Sequence, residues 1–147
     1  MVIREAEYED LSRLLMLYTY LHENAMPPIN DEIQELWSNI INDANHHIII
    51  GVEDDAVICA CVLITVLNLT NNQRPYSLIE NVITHPGHRN KGFGTRILEY
   101  AKKIAIGKKC YKIMLMTGSK DESTLNFYSR AGYNTDDKAA FIQWLDA

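Results

Sequence analysis

The chain has 147 residues, of which 47% are apolar and 22% charged, and a net charge of -5. That length suits one domain with a buried core, expected to span 1–147, and the composition is ordinary for a globular protein. The negative charge argues against an unspecific grip on nucleic acid, so a small-molecule partner is expected.

Three cysteines cannot form an even disulfide framework. Cys59 and Cys61 share one strand face at i, i+2 spacing, where core packing is their expected role, and a reducing cytoplasmic setting fits. The opening "MVIREAEYED" is charged from its fourth residue and lacks the apolar region of a secretory leader. The longest apolar run, "AVICACVLITVL", is too short and too β-branched for a membrane span, so no membrane partner is expected.

In chain order, "VIREA" reads as a strand. Leu11, Leu14, Leu15, Tyr18 and Leu21 then recur at helical spacing after an acidic start. "AMPPIN" breaks that helix, and Asn30 or Asp31 caps a second one with Ile33, Leu36, Trp37, Ile40 and Ile41 on one face. The strands "HHIIIGVE" and "AVICACVLITVLNL" flank the tight-turn signal Asp54–Asp55, and a polar turn leads to "YSLIENVITH". From Gly94, Ile97, Leu98, Ala101, Ile104 and Ala105 mark a third helix stopped by "GKK". "YKIMLMT" is a buried strand, "DESTLNFYSRAG" a fourth helix and "AFIQWL" a last strand.

The stretch "HRNKGFGT" joins a strand to a helix N-terminus, where unpaired amides and the helix dipole favour an anion and glycine permits close approach. It is not a nucleotide P-loop, because Phe93 follows Gly92. Nor is it a dinucleotide fingerprint, because Ile97 stands where a third glycine is needed.

"VITHPGHRNKGFGTRIL" resembles the acetyl-CoA signature of the GNAT superfamily of N-acetyltransferases, Q/R-x-x-G-x-G/A, with Arg89, Gly92 and Gly94 at its fixed positions. "TLNFYSRAGY" resembles the family's second motif. The resemblance implies a single α/β (α+β) domain with a mixed, mainly antiparallel sheet of about six to seven strands and four helices. It implies acetyl transfer from acetyl-CoA to an amine, without a metal. Arg89, Asn90, Lys91, Gly92, Phe93, Gly94 and Thr95 would wrap the pyrophosphate; asparagine, which enters the left-handed region readily, replaces the family's usual glycine at Asn90. Val82, Ile83 and Thr84 would offer backbone to the pantetheine arm, and Ser119, Thr124 and Tyr128 would add contacts. Two further positions depart from the family pattern, with Asp121 and Thr124 replacing an asparagine and a small apolar residue.

An amine near pKa ~10 must lose a proton before attack, and a departing thiolate near pKa ~8.5 benefits from one. Glu80 is the candidate base, read as desolvated between Leu78 and Val82, with a strand-end glutamate in water or an ion pair as the alternative. Tyr128 is the candidate acid, matching the family's thiol-side tyrosine, with a core aromatic as the alternative. His46, His47, His85 and His88 lack metal-site spacing with the cysteines and read as solvated or strand-end residues. Cys110 has no sequence-local activator.

The motifs look most like the glucosamine-phosphate N-acetyltransferase kind. The acidic segment "MPPINDEIQELW" is expected to line the acceptor pocket, and its charge suits a cationic amine, a polyamine or a peptide N-terminus better than a phosphosugar. A CoA-binding sensor without turnover is the alternative from another class. A homodimer stays open.

Overall fold

The structure, a computed structural model, describes residues 1–22 and 25–146. In chain order its elements are β1 (Val2–Glu5), α1 (Leu11–Tyr18), α2 (Asp31–Ile41), β2 (His46–Glu53), β3 (Ala56–Val66), β4 (Tyr76–Thr84), α3 (Phe93–Gly107), β5 (Ile113–Leu115) and α4 (Glu122–Arg130). They fall into two compact units, Met1–Leu115 and Met116–Ala147.

In the first unit the strands form one sheet in the order β1-β2-β3-β4-β5. Neighbours are antiparallel except β4 and β5, which run parallel. The β2–β3 turn places Asp54 and Asp55 at φ 49° and 63°, the left-handed pair that a two-residue hairpin needs to match strand twist. Side chains alternate across the sheet. Ile48, Ile50, Ala60 and Val62 form one core with Leu14 and Leu17 of α1 and Trp37 of α2. Ile49, Cys59, Cys61 and Leu63 point the other way, the side on which α3 buries Ile97, Leu98, Ala101 and Ala105. Trp37 is tied down by its indole N–H, which donates to the Tyr8 carbonyl at 2.9 Å.

Helix caps follow the local chemistry. The Asn30 side chain accepts from the Ile33 amide at 3.0 Å and starts α2, so of the two candidates Asn30 and Asp31 the first is the cap. Ahead of α1, Asp10 is 1% exposed and accepts from the Glu7 amide and from Arg4 and Arg13.

The sheet has five strands, fewer than the six to seven expected. The fifth covers only Ile113–Leu115, because the parallel ladder with β4 ends at the Ile79–Leu115 pair, just before β4 bends. Residues 140–145, "AFIQWL", form no strand: a β-prone run becomes one only within a hydrogen-bonded ladder, and none pairs it among the described residues. Likewise β3 stops at Val66, short of the expected Leu69, where its pairing with Tyr76 ends. Among the described residues no helix is long and apolar enough to cross a membrane.

Candidate active site

The bend in β4 is a β-bulge. Val62 opposes Glu80 and Ala60 opposes Ile83, so Asn81 and Val82 together face the single residue Cys61. Asn81 sits at φ 52°, a left-handed conformation that asparagine tolerates better than most residues. The extra residue reverses the parity of the rest of the strand: Ile83 joins the core on the α1 and α2 side, whereas strict alternation would send it with Ile79 to the α3 side. Beyond Ile79, Val82, Ile83 and Thr84 have no β5 partner among the described residues, which leaves that edge of β4 open beside the bulge.

Glu80 therefore points to the α1 and α2 face, where it lines a cavity of about 510 Å³. The desolvation expected of it does not occur, because Glu80 is exposed and stands at the rim. The cavity wall comes from α1 (Leu11, Leu14, Leu15, Tyr18), the inner face of α2 (Ile33, Leu36, Trp37, Ile40) and the sheet (His46, Ile48, Val62, Ile64). This corrects the charge expected there: Asp31, Glu32 and Glu35 of "MPPINDEIQELW" lie on the exposed face of α2, and only the apolar face of that helix meets the cavity. A smaller neighbour of about 260 Å³ shares Leu15, Tyr18 and Asn81 with it. The Tyr18 hydroxyl is buried without a hydrogen bond of ordinary geometry, and Asn81 is its polar neighbour. Burial pushes the Tyr18 phenol up, so it stays protonated at any physiological pH.

After β4 the chain turns through Pro86–His88, where His85 Nδ1 accepts from the Gly87 amide at 3.0 Å, and reaches the glycine-bearing stretch. Asn90 and Gly92 both lie in the left-handed region, at φ 61° and 79°, so the turn tolerates asparagine where the family pattern has glycine. Gly92 is the N-cap of α3; no side chain caps this helix and no acid stands in its first turn. A fifteen-residue helix thus presents its dipole and first-turn amides with no carboxylate competing for them. In α2, by contrast, Asn30 caps the start and Asp31 and Glu32 fill the first turn. Arg89 and Lys91 are exposed beside the turn, and the Arg89 Nε reaches the Thr84 carbonyl at 3.4 Å. Donors, positive charge and left-handed backbone at a helix N-terminus fit a pyrophosphate.

In the second unit, the start of α4 brings Ser119 and Thr124 together, their hydroxyls 3.2 Å apart. Tyr128 is half-buried in an aromatic group, its ring centroid 5.0 Å from that of Phe127 and 6.3 Å from that of Tyr133.

The histidines and cysteines behave as structure. His46 and His47 do begin a strand, but His47 is buried, with its Nδ1 2.6 Å from Glu5 Oε1. His85 and His88 stack edge-on at 5.4 Å. Burial pushes the Cys59 thiol up to about 11 and the Cys61 thiol to about 12, so both are core-packing groups and not nucleophiles near neutrality. Cys110 Sγ lies 3.1 Å from Ser77 Oγ. The polar cavity-lining residues that sequence reasoning did not place there are Tyr18, His46 and Asn81. An asparagine interrupting the apolar run "LIENVIT" was a usable signal for the bulge; Tyr18 carried none, since it sits in an ordinary helical stripe.

The model of the acetyltransferase (GNAT) family matches residues 9–133, and the chain belongs to that family. Its members use acetyl-CoA. A solved structure described as an acetyltransferase of Agrobacterium tumefaciens strain C58 is 30% identical, with 98% of this chain and 100% of that chain covered and a TM-score of 0.90. Glucosamine-6-phosphate N-acetyltransferase from Arabidopsis thaliana shares the fold at 19% identity, with 99% and 98% covered and a TM-score of 0.85. Streptothricin acetyltransferase of Escherichia coli is 27% identical over 71 residues, 48% of this chain and 41% of that protein. The chain thus spans about two-fifths of that curated relative's length.

Proposed function

We propose that residues 1–147 act as one N-acetyltransferase domain that moves the acetyl group of acetyl-CoA to the primary amine of a small molecule by direct attack. The observation that carries this is the uncapped, acid-free N-terminus of α3 behind the left-handed Asn90 and Gly92, coming directly after a bulged strand that presents Glu80. The family match, which runs from residue 9 to 133, supports treating the chain as a single catalytic domain. Three free thiols support a reducing, cytosolic setting.

In this reading Arg89–Thr95 hold the pyrophosphate and the open edge at Val82, Ile83 and Thr84 receives the pantetheine arm, with contributions from Ser119 and Thr124. Glu80 attracts the ammonium to the rim of the cavity and takes its proton, directly or through water. The amine nitrogen would then bond to the acetyl carbon as the carbon–sulfur bond breaks, Tyr128 giving its proton to the thiolate; the second proton shed by the nitrogen passes through water and restores the Tyr128 phenol. The support for Tyr128 is its place in "TLNFYSRAGY" and its phenol, a donor at neutral pH. A phosphorylated amino sugar is the second acceptor reading, favoured by the motif likeness and by the fold of the Arabidopsis enzyme.

Thiol release measured with Glu80→Gln and Tyr128→Phe tests the assignment. Glu80→Gln should keep CoA affinity and lose about 10²-fold in rate, most steeply at low pH where free amine is scarcest. Tyr128→Phe should lower kcat by about 10²–10⁴-fold with little change in the KM for acetyl-CoA. A Glu80→Gln pH profile that superimposes on the wild type after scaling would return Glu80 to a structural role. A folded Tyr128→Phe enzyme at the wild-type rate would do the same for Tyr128.

A further inference from the structure

We infer that the acceptor is a monoamine on an apolar body, an aryl- or alkyl-substituted primary amine, and not a phosphorylated sugar or a polycation. This rests on the acetyltransfer reading and names its substrate class. The cavity beside Glu80 measures about 510 Å³, within the usual range for small ligands, and its wall is overwhelmingly aliphatic and aromatic: Leu15, Leu36, Trp37, Ile40, Val62 and Ile64 among others.

Its polar groups are few, and each restricts the ligand. Among the described residues Glu80 is the only carboxylate in the wall, so it balances one ammonium; further ammoniums on a polycation would enter an apolar site unpaired, which is costly. Among the described residues no lysine or arginine lines the larger cavity, so a phosphate entering it would also lack a counterion. His46 does not supply one, because burial pushes its imidazole down and outweighs the pull of Asp43. The remaining polar groups of the larger cavity are neutral: the Asn81 amide and the buried Tyr18 hydroxyl beside it, on two residues shared with the smaller cavity. Asn81 follows Glu80 directly at the bulge, and apart from these groups and His46 the described wall offers only apolar contact.

The test is a homologous series of n-alkylamines from propylamine to heptylamine together with 2-phenylethylamine, set against glucosamine 6-phosphate and kanamycin. Thiol release is monitored for each, and binding to the CoA-saturated protein is measured separately by calorimetry. The alkylamines share one amine basicity, so chain length isolates the cavity. Each added methylene should raise kcat/KM and affinity by about 4-fold until the cavity is full. Leu36→Lys, which puts a cation into the wall at an exposed position, should flatten that series.

A rising series and its loss in Leu36→Lys support the inference. Rising affinity without turnover of any amine also supports the cavity assignment and overturns the acetyltransfer reading. Turnover of glucosamine 6-phosphate or kanamycin above that of every apolar amine, or a flat series in the wild type, overturns the inference and leaves acetyltransfer standing. Neither binding nor turnover across the panel overturns both.

Discussion

Asp10 is almost wholly out of water, and burial alone would raise its pKa. The hydrogen bonds from Arg4, the Glu7 amide and Arg13 outweigh burial and hold it down at about 2, against 3.8 for a free side chain. A lowered carboxylate pKa stabilises the fold above the unfolded value, and that stability is lost as pH falls through the folded one. Asp10 should therefore contribute about 2 kcal/mol at neutral pH, disappearing between about pH 4 and pH 2. Asp10→Asn should cost about that much at pH 7 and little at pH 2, as read by denaturant titration at both. An equal loss at the two values would mean that packing and not charge sets its worth. The sequence placed Asp10 only in an acidic helix start. That Arg4 and Arg13 close on it depends on β1 lying where it does, and no local pattern carries that information. Glu80 was legible as a carboxylate in an apolar strand, but its exposure was not, because it depends on the bulge and on α1 and α2 standing apart to open a cavity.

Among the elements, α3 obeys its local signals most closely. Its start one residue before Gly94 and its end at Gly107 match the glycines and the apolar stripe, because caps and periodicity act within a few residues. Its lack of a side-chain cap is the feature on which the proposed cofactor site rests. Gly94→Val adds a branched side chain in the first turn, beside the amides assigned to the pyrophosphate, and should weaken CoA binding by about tenfold or more while the folded signal persists. Calorimetry with unchanged affinity in a folded Gly94→Val protein would remove the turn from the cofactor site. β5 and the run "AFIQWL" are the opposite case: a strand depends on its ladder, and composition does not say how far the neighbour stays straight or whether one is present.

At the scale of the whole molecule, binding should be visible as stability. CoA at about a hundred times its Kd adds ~2.7 kcal/mol to a protein that binds it only when folded. For a chain of this size that is a rise in Tm of roughly 5–10 °C, and Gly94→Val, binding about tenfold more weakly, should cut it to about half or less. A wild-type Tm that ignores saturating CoA would overturn the cofactor assignment. What the sequence determined by itself is whatever the chain settles within a turn or a strand: the start of α2 at Asn30 or Asp31, the Asp54–Asp55 hairpin, the left-handed tolerance of Asn90, the α3 stripe and the motifs that place the chain in its family. What only the tertiary structure decided is what arises where distant segments meet. The register of β4 against β3 makes Asn81 a bulge and turns Ile83 to the opposite face, and the packing of α1 and α2 on the sheet leaves an apolar cavity where the acids of "NDEIQEL" suggested a charged one. The physical reason is that helix caps and turns are satisfied by neighbours in the chain, whereas which face of a helix meets empty space is set by partners tens of residues away.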